Sequence, residues 1–358
     1  MRWARQGREA AKRTLDAPKH SGKIDVRSGA FGVTPEREMA GERPRRHHYL
    51  PRFYLAGFTD SGQRDGRLHV ISLQDGHRLI GTPESVGHQR DFYRLDGVED
   101  GAFELEHAFA EIEGGAATAI RSTINNRQLP ADDELFSYLI NFVALMAARV
   151  PQTRENFARP LRRVWEMLLE IELSSRERFE ALVQQARAAG EQIPDVDYKH
   201  LRQSFREGRI VLEVSQAQHI QTLLHAAETL VPLLAARHWR LLFATGAEFI
   251  TSDHPVALTW TVPRPPSFYG PGFGIAGTDV TLPLTKSIAL LGRLEPQQHD
   301  TIELDQRGVA SLNSRTGMYA GRIVISGNPD HVWERADHTI GNADQLVEAI
   351  RREPRRPD

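Results

Sequence analysis

The spacing of apolar residues divides the chain into strand-rich ends and a helical middle. Alternating apolar and polar positions predict N-terminal strands at 67–73 and 90–95. A short helix is predicted to begin at Pro51 and to bury Phe53, Tyr54 and Phe58. The period then becomes helical, with Pro130, Pro151 and Pro194 as interruptions. The predicted helices of the middle are 102–125, 132–149, 156–189 and 215–237.

Beyond Arg237 the alternation of strands returns. The predicted strands are 238–245, 247–253, 256–262, 279–285, 287–294 and 321–327. The first two flank Gly246, which predicts that they form a hairpin. A helix at 308–319 interrupts the strands, and the tail after Leu346 is helical again.

This order of elements predicts an α+β protein. We expect a mixed or antiparallel sheet from the C-terminal half, joined by short N-terminal strands and packed against a central helical bundle. Residues 46–350 are predicted to form a single domain, with its helical middle at about 102–237 and its sheet at about 238–326. Residues 1–45 are basic and poor in large apolar side chains, which predicts a disordered arm.

Composition excludes several classes of protein. The 358 residues include no cysteine, so disulfides and thiolate metal sites are absent. The net charge of −2 gives no general attraction to nucleic acid or to an anionic membrane, although nucleic acid remains a possible partner. The most apolar stretch, 135–150, is shorter than the roughly 20 residues of a membrane span. We therefore predict a cytoplasmic protein that does not enter a membrane.

Several motifs resemble a bacterial family catalogued as domain of unknown function 4238. The motifs are HHYLPRFYLAGF (47–58), DFY (91–93), LEHAFAEIEG (105–114), AARVP (147–151), FITSDHPV (249–256) and PLTKSIALL (283–291). The resemblance covers about residues 47–326 and implies no particular reaction. It singles out six positions, which are His48, Glu106, Glu113, Arg149, Asp253 and Asn313.

Glu106 and Glu113 also stand out on helical geometry alone. They lie two turns apart and within about 20° of each other around the helix, on the side that carries Phe109 and Ile120. Carboxylates on an apolar face are costly unless they are paired, protonated or bound to a metal ion. Salt bridges to arginine and a role in acid–base or metal chemistry are therefore both open.

Arg149 is the predicted partner of these glutamates. It ends a helix that is apolar on nearly every side, so its guanidinium needs an acceptor inside the protein. Two interpretations remain open: an internal ion pair that fixes the fold, and a clamp for an anionic substrate.

Asp253 and His48 complete the candidate set because both stand at the ends of elements. Asp253 follows a strand, where it either caps a turn or presents its carboxylate to a site. His48 precedes the short helix and is a candidate base or metal ligand if carboxylates lie nearby. The arginines 159, 162 and 163 are interpreted as a solvated helix face.

Two functions remain open. The first is a hydrolase, such as a metal-dependent phosphodiesterase or nuclease, in which His48, Glu106, Glu113 and Asp253 supply acid–base chemistry and Arg149 holds an anionic substrate. A divalent metal would then be bound by His48, Glu106 and Asp253. The second is a non-enzymatic sensor, toxin or phage-defence protein, in which the same charges form a structural network. We expect His48, Glu106, Arg149 and Asp253 to converge in space in either case.

Overall fold

The computed structural model describes residues 25–26, 46–90, 99–190, 193–262 and 270–352. For residues 25–26, 46, 90, 99–108 and 351–352 it describes the backbone alone. Strand β1 (Asp25–Val26) pairs in antiparallel fashion with β6 (Ile210–Val211). The other residues of the expected disordered arm lie outside the described part of the chain.

The N-terminal part of the domain contains four short strands and one short helix. They are β2 (Arg46–His48), α1 (Arg52–Ala56), β3 (Leu68–Ser72), β4 (Arg78–Gly81) and β5 (His88–Arg90). In α1 and just after it, Tyr54 and Phe58 are fully buried, as the sequence predicts, while Phe53 is half-buried. The Tyr54 hydroxyl contacts Thr251 Oγ1 at 2.7 Å and donates to the carbonyl of Pro283 at 2.8 Å. The opening helix is thereby attached to the C-terminal strands.

The helical middle is built around one buried helix. Its helices are α2 (Glu99–Asn126), α3 (Asp133–Ala148), α4 (Pro151–Glu172), α5 (Arg176–Ala188), α6 (Tyr198–Arg206) and α7 (Gln216–Ala235). Helix α3 starts where Asp132 accepts a hydrogen bond from the Leu135 amide, and all its residues from 139 to 148 are buried. It packs against α2 and α7. Phe109, Ile120 and Val143 share one core, which confirms the predicted packing of the two helices.

The C-terminal half supplies most of the strands. The elements are β7 (His238–Ala244), β8 (Thr251–Ser252), β9 (Ala257–Trp260), β10 (Thr278–Pro283), β11 (Ile288–Arg293), β12 (Thr301–Leu304), α8 (Gln306–Tyr319), β13 (Ile323–Ser326), β14 (Trp333–Glu334), β15 (Ile340–Gly341) and α9 (Ala343–Arg352). One sheet has five strands in the order β12-β7-β11-β10-β9, and only β12 is parallel to its neighbour. A second, antiparallel sheet has the order β4-β3-β13-β8.

The predicted α+β class is correct, and the N-terminal strands do pair with C-terminal ones. The hairpin around Gly246 is wrong, because β8 pairs with β13 in the second sheet. Both edges of β7 are already occupied, by β11 and by β12. Alternation reveals a strand but not its partner, so residues 247–252 could not be assigned to the correct sheet from sequence.

The predicted helix 156–189 is in fact two helices. Helix α4 ends at Glu172, and Ser175 begins α5 by accepting a hydrogen bond from the Arg178 amide at 3.3 Å. A serine side chain satisfies a free amide at a helix start, which favours a new helix over continuation. Among the described residues no single helix has both the length and the apolarity of a membrane span, although α3 and α4, bent by 53°, pass together.

Candidate functional site

Arg149 is the centre of a buried polar cluster at the end of α3. Its side chain is 2% exposed and makes three hydrogen bonds. Nη1 donates to Glu113 Oε1 at 2.6 Å, Nε to the carbonyl of Tyr49 at 2.7 Å, and Nη2 to the carbonyl of His48 at 2.9 Å. The predicted arginine–glutamate pair is therefore present, and it joins the helical middle to the opening segment.

Glu113 lies at the margin of the buried face of α2, not at its centre. Its side chain is 27% exposed, whereas Ile112 and Ala116 are fully buried and Glu111 is exposed. Ile124, which shares the direction of the two glutamates, is 38% exposed. The predicted helical phase is thus off by most of a right angle, because small residues such as Ala116 mark the packed face as strongly as large ones do.

Glu106 belongs to α2, two turns before Glu113. Its side chain lies outside the described part of the structure, so its expected place in the cluster and its expected role stay predictions.

His48 contributes to the cluster through its backbone. Its carbonyl accepts from Arg149, while its ring Nε2 lies 3.2 Å from the carbonyl of Glu84. The ring meets that of His88 edge-on, with 5.4 Å between the centroids. Burial and the charge of Arg52 lower the pKa of His48, so the ring is neutral at pH 7.

Asp253 holds the turn that precedes β13. Its carboxylate accepts hydrogen bonds from the amides of Gly321 and Arg322, each at 2.9 Å, and from Ile323 at 3.4 Å. Burial raises the pKa of Asp253, and these three amide bonds act in the opposite direction. Of the two roles left open for Asp253, the structure shows the capping of a turn, and this turn ties two distant segments of the chain together.

Tyr49 links Asp253 to the Arg149 cluster. Its carbonyl accepts from Arg149, and its ring is buried close enough to Asp253 for the carboxylate to act on the hydroxyl. Burial and the Asp253 charge together raise the pKa of Tyr49. Through this one residue the structure brings His48, Glu113, Arg149 and Asp253 into one neighbourhood.

An open polar cavity of about 410 Å³ lies over this neighbourhood. Its lining comes from the N-terminal half of α4, the start of α7, β5 and the Asp253 turn. The lining residues include Gln89, Gln152, Arg154, Glu155, Arg162, Glu213, His219, Asp253 and Arg322. A narrow apolar cleft beside it shares Arg154 and His219 with the cavity and reaches Arg149. Of the predicted site residues, Asp253 is the one that lines the larger cavity directly.

Some charged side chains of the cavity are held by an ion pair or a hydrogen bond within the protein, and others are not. Arg162 pairs with Glu155, and Arg154 donates to the amide oxygen of Gln216 at 2.7 Å. Arg322 and Glu213 are both exposed. The structure gives neither of their side chains an ion-pair partner within its described part.

His219 is a titratable group of the cavity whose pKa is lowered by its surroundings. Burial, together with the charges of Arg154 and Arg162, lowers the pKa of His219 to about 4. The ring is therefore neutral at pH 7 and offers a lone pair to the cavity.

No group of three or more histidine, aspartate or glutamate side chains is arranged to hold a metal ion within the described ranges. His48 and Asp253 each use their polar atoms on backbone groups instead. The suggested metal set of His48, Glu106 and Asp253 thus has two members engaged elsewhere, and the third has no described side chain.

Sequence reasoning missed most of the cavity lining. Arg162 was interpreted as part of a solvated face, yet it lines the cavity, whereas Arg163 is 78% exposed. A helical projection does place Pro151, Glu155 and Arg162 on one side of α4. The projection alone does not show that this side of α4 lines a cavity, because the other walls come from α7 and the Asp253 turn, which are distant in the sequence.

The substitution Asp253→Asn is expected to destabilise the fold by about 1–3 kcal/mol. An amide keeps one oxygen, but its NH₂ group must face one of the backbone amides that the carboxylate now accepts from. Chemical unfolding of both proteins measures the loss. Asp330→Asn, at an exposed position beyond the same strand, serves as the control. An unchanged unfolding free energy for Asp253→Asn would contradict the assigned role.

The fold and the cavity define an α+β protein with a polar pocket next to a buried arginine. The family model described as protein of unknown function (DUF4238) matches residues 46–349, so the chain belongs to this family. No curated protein and no solved structure gave a significant match to the chain.

Proposed function

We propose that the protein binds a small polar ligand carrying both an acidic and a basic group in the cavity over Asp253. The observation that carries the proposal is the composition of the lining. Three arginines and three carboxylates share a space of about 410 Å³, which is the size of a small-molecule site. They are Arg154, Arg162, Arg322, Glu155, Glu213 and Asp253.

Arg322 and Glu213 are the residues we assign to ligand recognition. Both are exposed at the cavity, one of each sign, and neither is committed to an internal ion pair in the described structure. An acidic group of the ligand would meet Arg322, and a basic group would meet Glu213. Charge-assisted hydrogen bonds of this kind are stronger than neutral ones.

The equal numbers of arginines and carboxylates in the cavity argue against a polyanionic substrate. Binding to nucleic acid draws on an excess of arginine and lysine that displaces counterions. The cavity offers equal numbers of cationic and anionic side chains. A nuclease is therefore a weaker proposal than a binding protein for a small zwitterion, such as an amino acid.

Hydrolysis of a small substrate is the second candidate, because one observation favours it. His219 and Asp253 line the same cavity, and burial shifts the pKa of His219 down and that of Asp253 up. Titratable groups shifted in opposite directions are typical of acid–base pairs. In this proposal neutral His219 accepts the proton of an attacking water.

Thermal shift and calorimetry with a panel of compounds test the binding proposal. The panel contains glycine, glutamate and arginine as zwitterions, citrate as an anion, and glucose as a neutral compound. We expect at least one zwitterion to bind more tightly than the anion and the neutral compound. Stronger binding of citrate than of every zwitterion would contradict the proposal.

Two substitutions and one control assign the site. Arg322→Gln and Glu213→Gln should each weaken binding of the same zwitterion about ten-fold, because each removes one charged hydrogen bond. Arg163→Gln lies on α4 but faces solvent, so it should bind as the unmodified protein does. Equal affinities for all four proteins would place the ligand outside the cavity.

A further inference from the structure

A second cluster of arginines lies between the five-stranded sheet and α8. At its centre is Asp279 of β10, which is fully buried. Arg293 of β11 donates to both of its oxygens, at 2.6 and 3.1 Å, and Arg315 of α8 donates to Oδ2 at 2.9 Å. The single carboxylate of Asp279 thus pairs with two guanidinium groups, so it balances only one of their two positive charges.

Arg240 of β7 adds a further positive charge to this cluster. It stands opposite Leu291 in the sheet register, and Leu291 and Arg293 share one face of β11 because side chains alternate along a strand. Arg240 and Arg293 are therefore diagonal neighbours on the same face, about 7–8 Å apart at their backbones. The positively charged side chains of Arg240 and Arg293 are therefore neighbours, although other positions on this face of the sheet are apolar.

The Nε atom of Arg240 is buried without a hydrogen-bond partner in the described part of the chain. The residue is 9% exposed, and its Nε atom is fully buried with no acceptor in reach. Burial and the charge of Arg293 lower the pKa of Arg240, while the charges of Asp279 and Asp300 act in the opposite direction. Buried polar hydrogens in native proteins almost always have an acceptor, so an unpaired guanidinium N–H points to an acceptor that a ligand would supply.

Two threonine hydroxyl groups near Asp279 are also buried without a hydrogen-bond partner among the described residues. Thr259 stands directly opposite Asp279 on the neighbouring strand, and Thr281 lies two residues further along β10 on the same face. The Oγ1 atoms of both are buried and have no partner. One face of the five-stranded sheet therefore carries, close to the arginines, several N–H and O–H groups that lack an acceptor.

We propose that Arg240, Arg293 and Arg315 form a binding site for an oxyanion of phosphate size, either free or as the phosphate group of a larger compound. Each guanidinium has five N–H donors, and Arg293 and Arg315 spend only part of theirs on Asp279. Their side chains are 29% and 31% exposed, which leaves the cluster open to a solute. A bound oxyanion would accept hydrogen bonds from the N–H groups that Asp279 leaves free.

This site shares no residue with the cavity over Asp253, so it is independent of the proposed zwitterion site. The partner is identified by charge and donor geometry alone, because arginine forks match the oxygens of phosphate.

Thermal unfolding at constant ionic strength tests the proposal, with sodium chloride replaced by 10 mM inorganic phosphate. We expect the melting temperature to rise by roughly 2 °C, since a ligand that binds only the folded state stabilises it. Arg240→Met should lose this rise. Without phosphate the variant should be at least as stable as the parent, because the unpaired charge is gone. Phosphate that stabilises neither protein, or both equally, overturns the proposal.

Three further proteins make the result specific. Arg315→Met keeps the Asp279–Arg293 pair and should bind phosphate about ten-fold more weakly by calorimetry, which serves if Arg240→Met does not fold. Arg163→Met is the exposed control and should keep the full rise in melting temperature. Arg322→Gln should also keep it, and its loss there would move the phosphate to the other cavity and overturn the proposal.

Phenyl phosphate distinguishes the two sources of the anion. Equal stabilisation by phenyl phosphate and inorganic phosphate indicates a site for the phosphate group of a larger compound. Stabilisation by inorganic phosphate alone indicates a site for the free ion. Stabilisation by neither contradicts the proposed site.

Discussion

Replacing Arg149 by methionine is expected to lower the free energy of unfolding by about 3–5 kcal/mol. The change keeps most of the aliphatic stem but removes the hydrogen bonds that the guanidinium donates to Glu113, Tyr49 and His48. It leaves the carbonyls of His48 and Tyr49 without this donor, and Glu113 without its counter-charge. Unfolding by urea, followed by circular dichroism, measures the loss. Recovery of the variant only in insoluble form would agree with this expectation.

Two controls separate the network from a general effect of arginine. Arg163→Met, on the neighbouring helix and 78% exposed, should change the unfolding free energy by less than about 0.5 kcal/mol. Glu113→Gln should cost less than Arg149→Met, because an amide oxygen still accepts and the side chain is 27% exposed. A stable Arg149→Met protein would show that the opening segment is held by apolar packing alone.

Acidification from pH 6.5 to 4 is expected to destabilise the protein steeply. Burial lowers the pKa values of His219, His254 and His331 to about 4 each. An unfolded histidine titrates near 6.5, so above that pH all three are neutral in both states and their full contribution is present. Between 6.5 and 4 the unfolded chain binds the protons first. His254 and His331 then each cost about 1.4 kcal/mol per pH unit, and the half-buried His219 costs less because solvent screens it.

One substitution tests the origin of this slope. His331 is 4% exposed, and His331→Gln removes one of the three titrating groups. The loss of stability per pH unit that these histidines cause should fall by about a third, as measured by urea unfolding at half-unit intervals. His299→Gln, at an exposed position, should leave the slope as it is. A slope that His331→Gln does not reduce would assign the acid sensitivity to carboxylates instead.

The sequence predicted the fold class because its two periodicities are local properties. Helix α3 is apolar on almost every side and was expected to be buried, and ten consecutive residues of it are. Strands β10 and β11 were predicted from short apolar runs, and both are buried along nearly their whole length. Strand β12 and helix α6 were missed, since both are short and mostly polar. Segments of four to nine residues carry too few repeats for a period to be recognised.

The candidate site, too, was predictable from the sequence only in part. Arg149 was recognised because a charge at the end of an apolar helix must find a partner, and Glu113 is that partner. For Arg162 the sequence indicated the wrong environment, since the exposure of a helix face depends on which elements pack beside it. Asp253 was expected at a turn, but its amide donors at 321–323 lie about seventy residues away.

By itself, the sequence determined which charges require a partner, because burial follows from the apolar pattern around them and an unpaired buried charge is costly. Only the tertiary structure decided which partners they take. It placed Tyr49 between Arg149 and Asp253 and opened the cavity between α4, α7 and the Asp253 turn. It also left the Nε atom of Arg240 without an acceptor among the described residues. These arrangements join segments that are far apart in the chain, and no local period encodes the register in which distant segments meet.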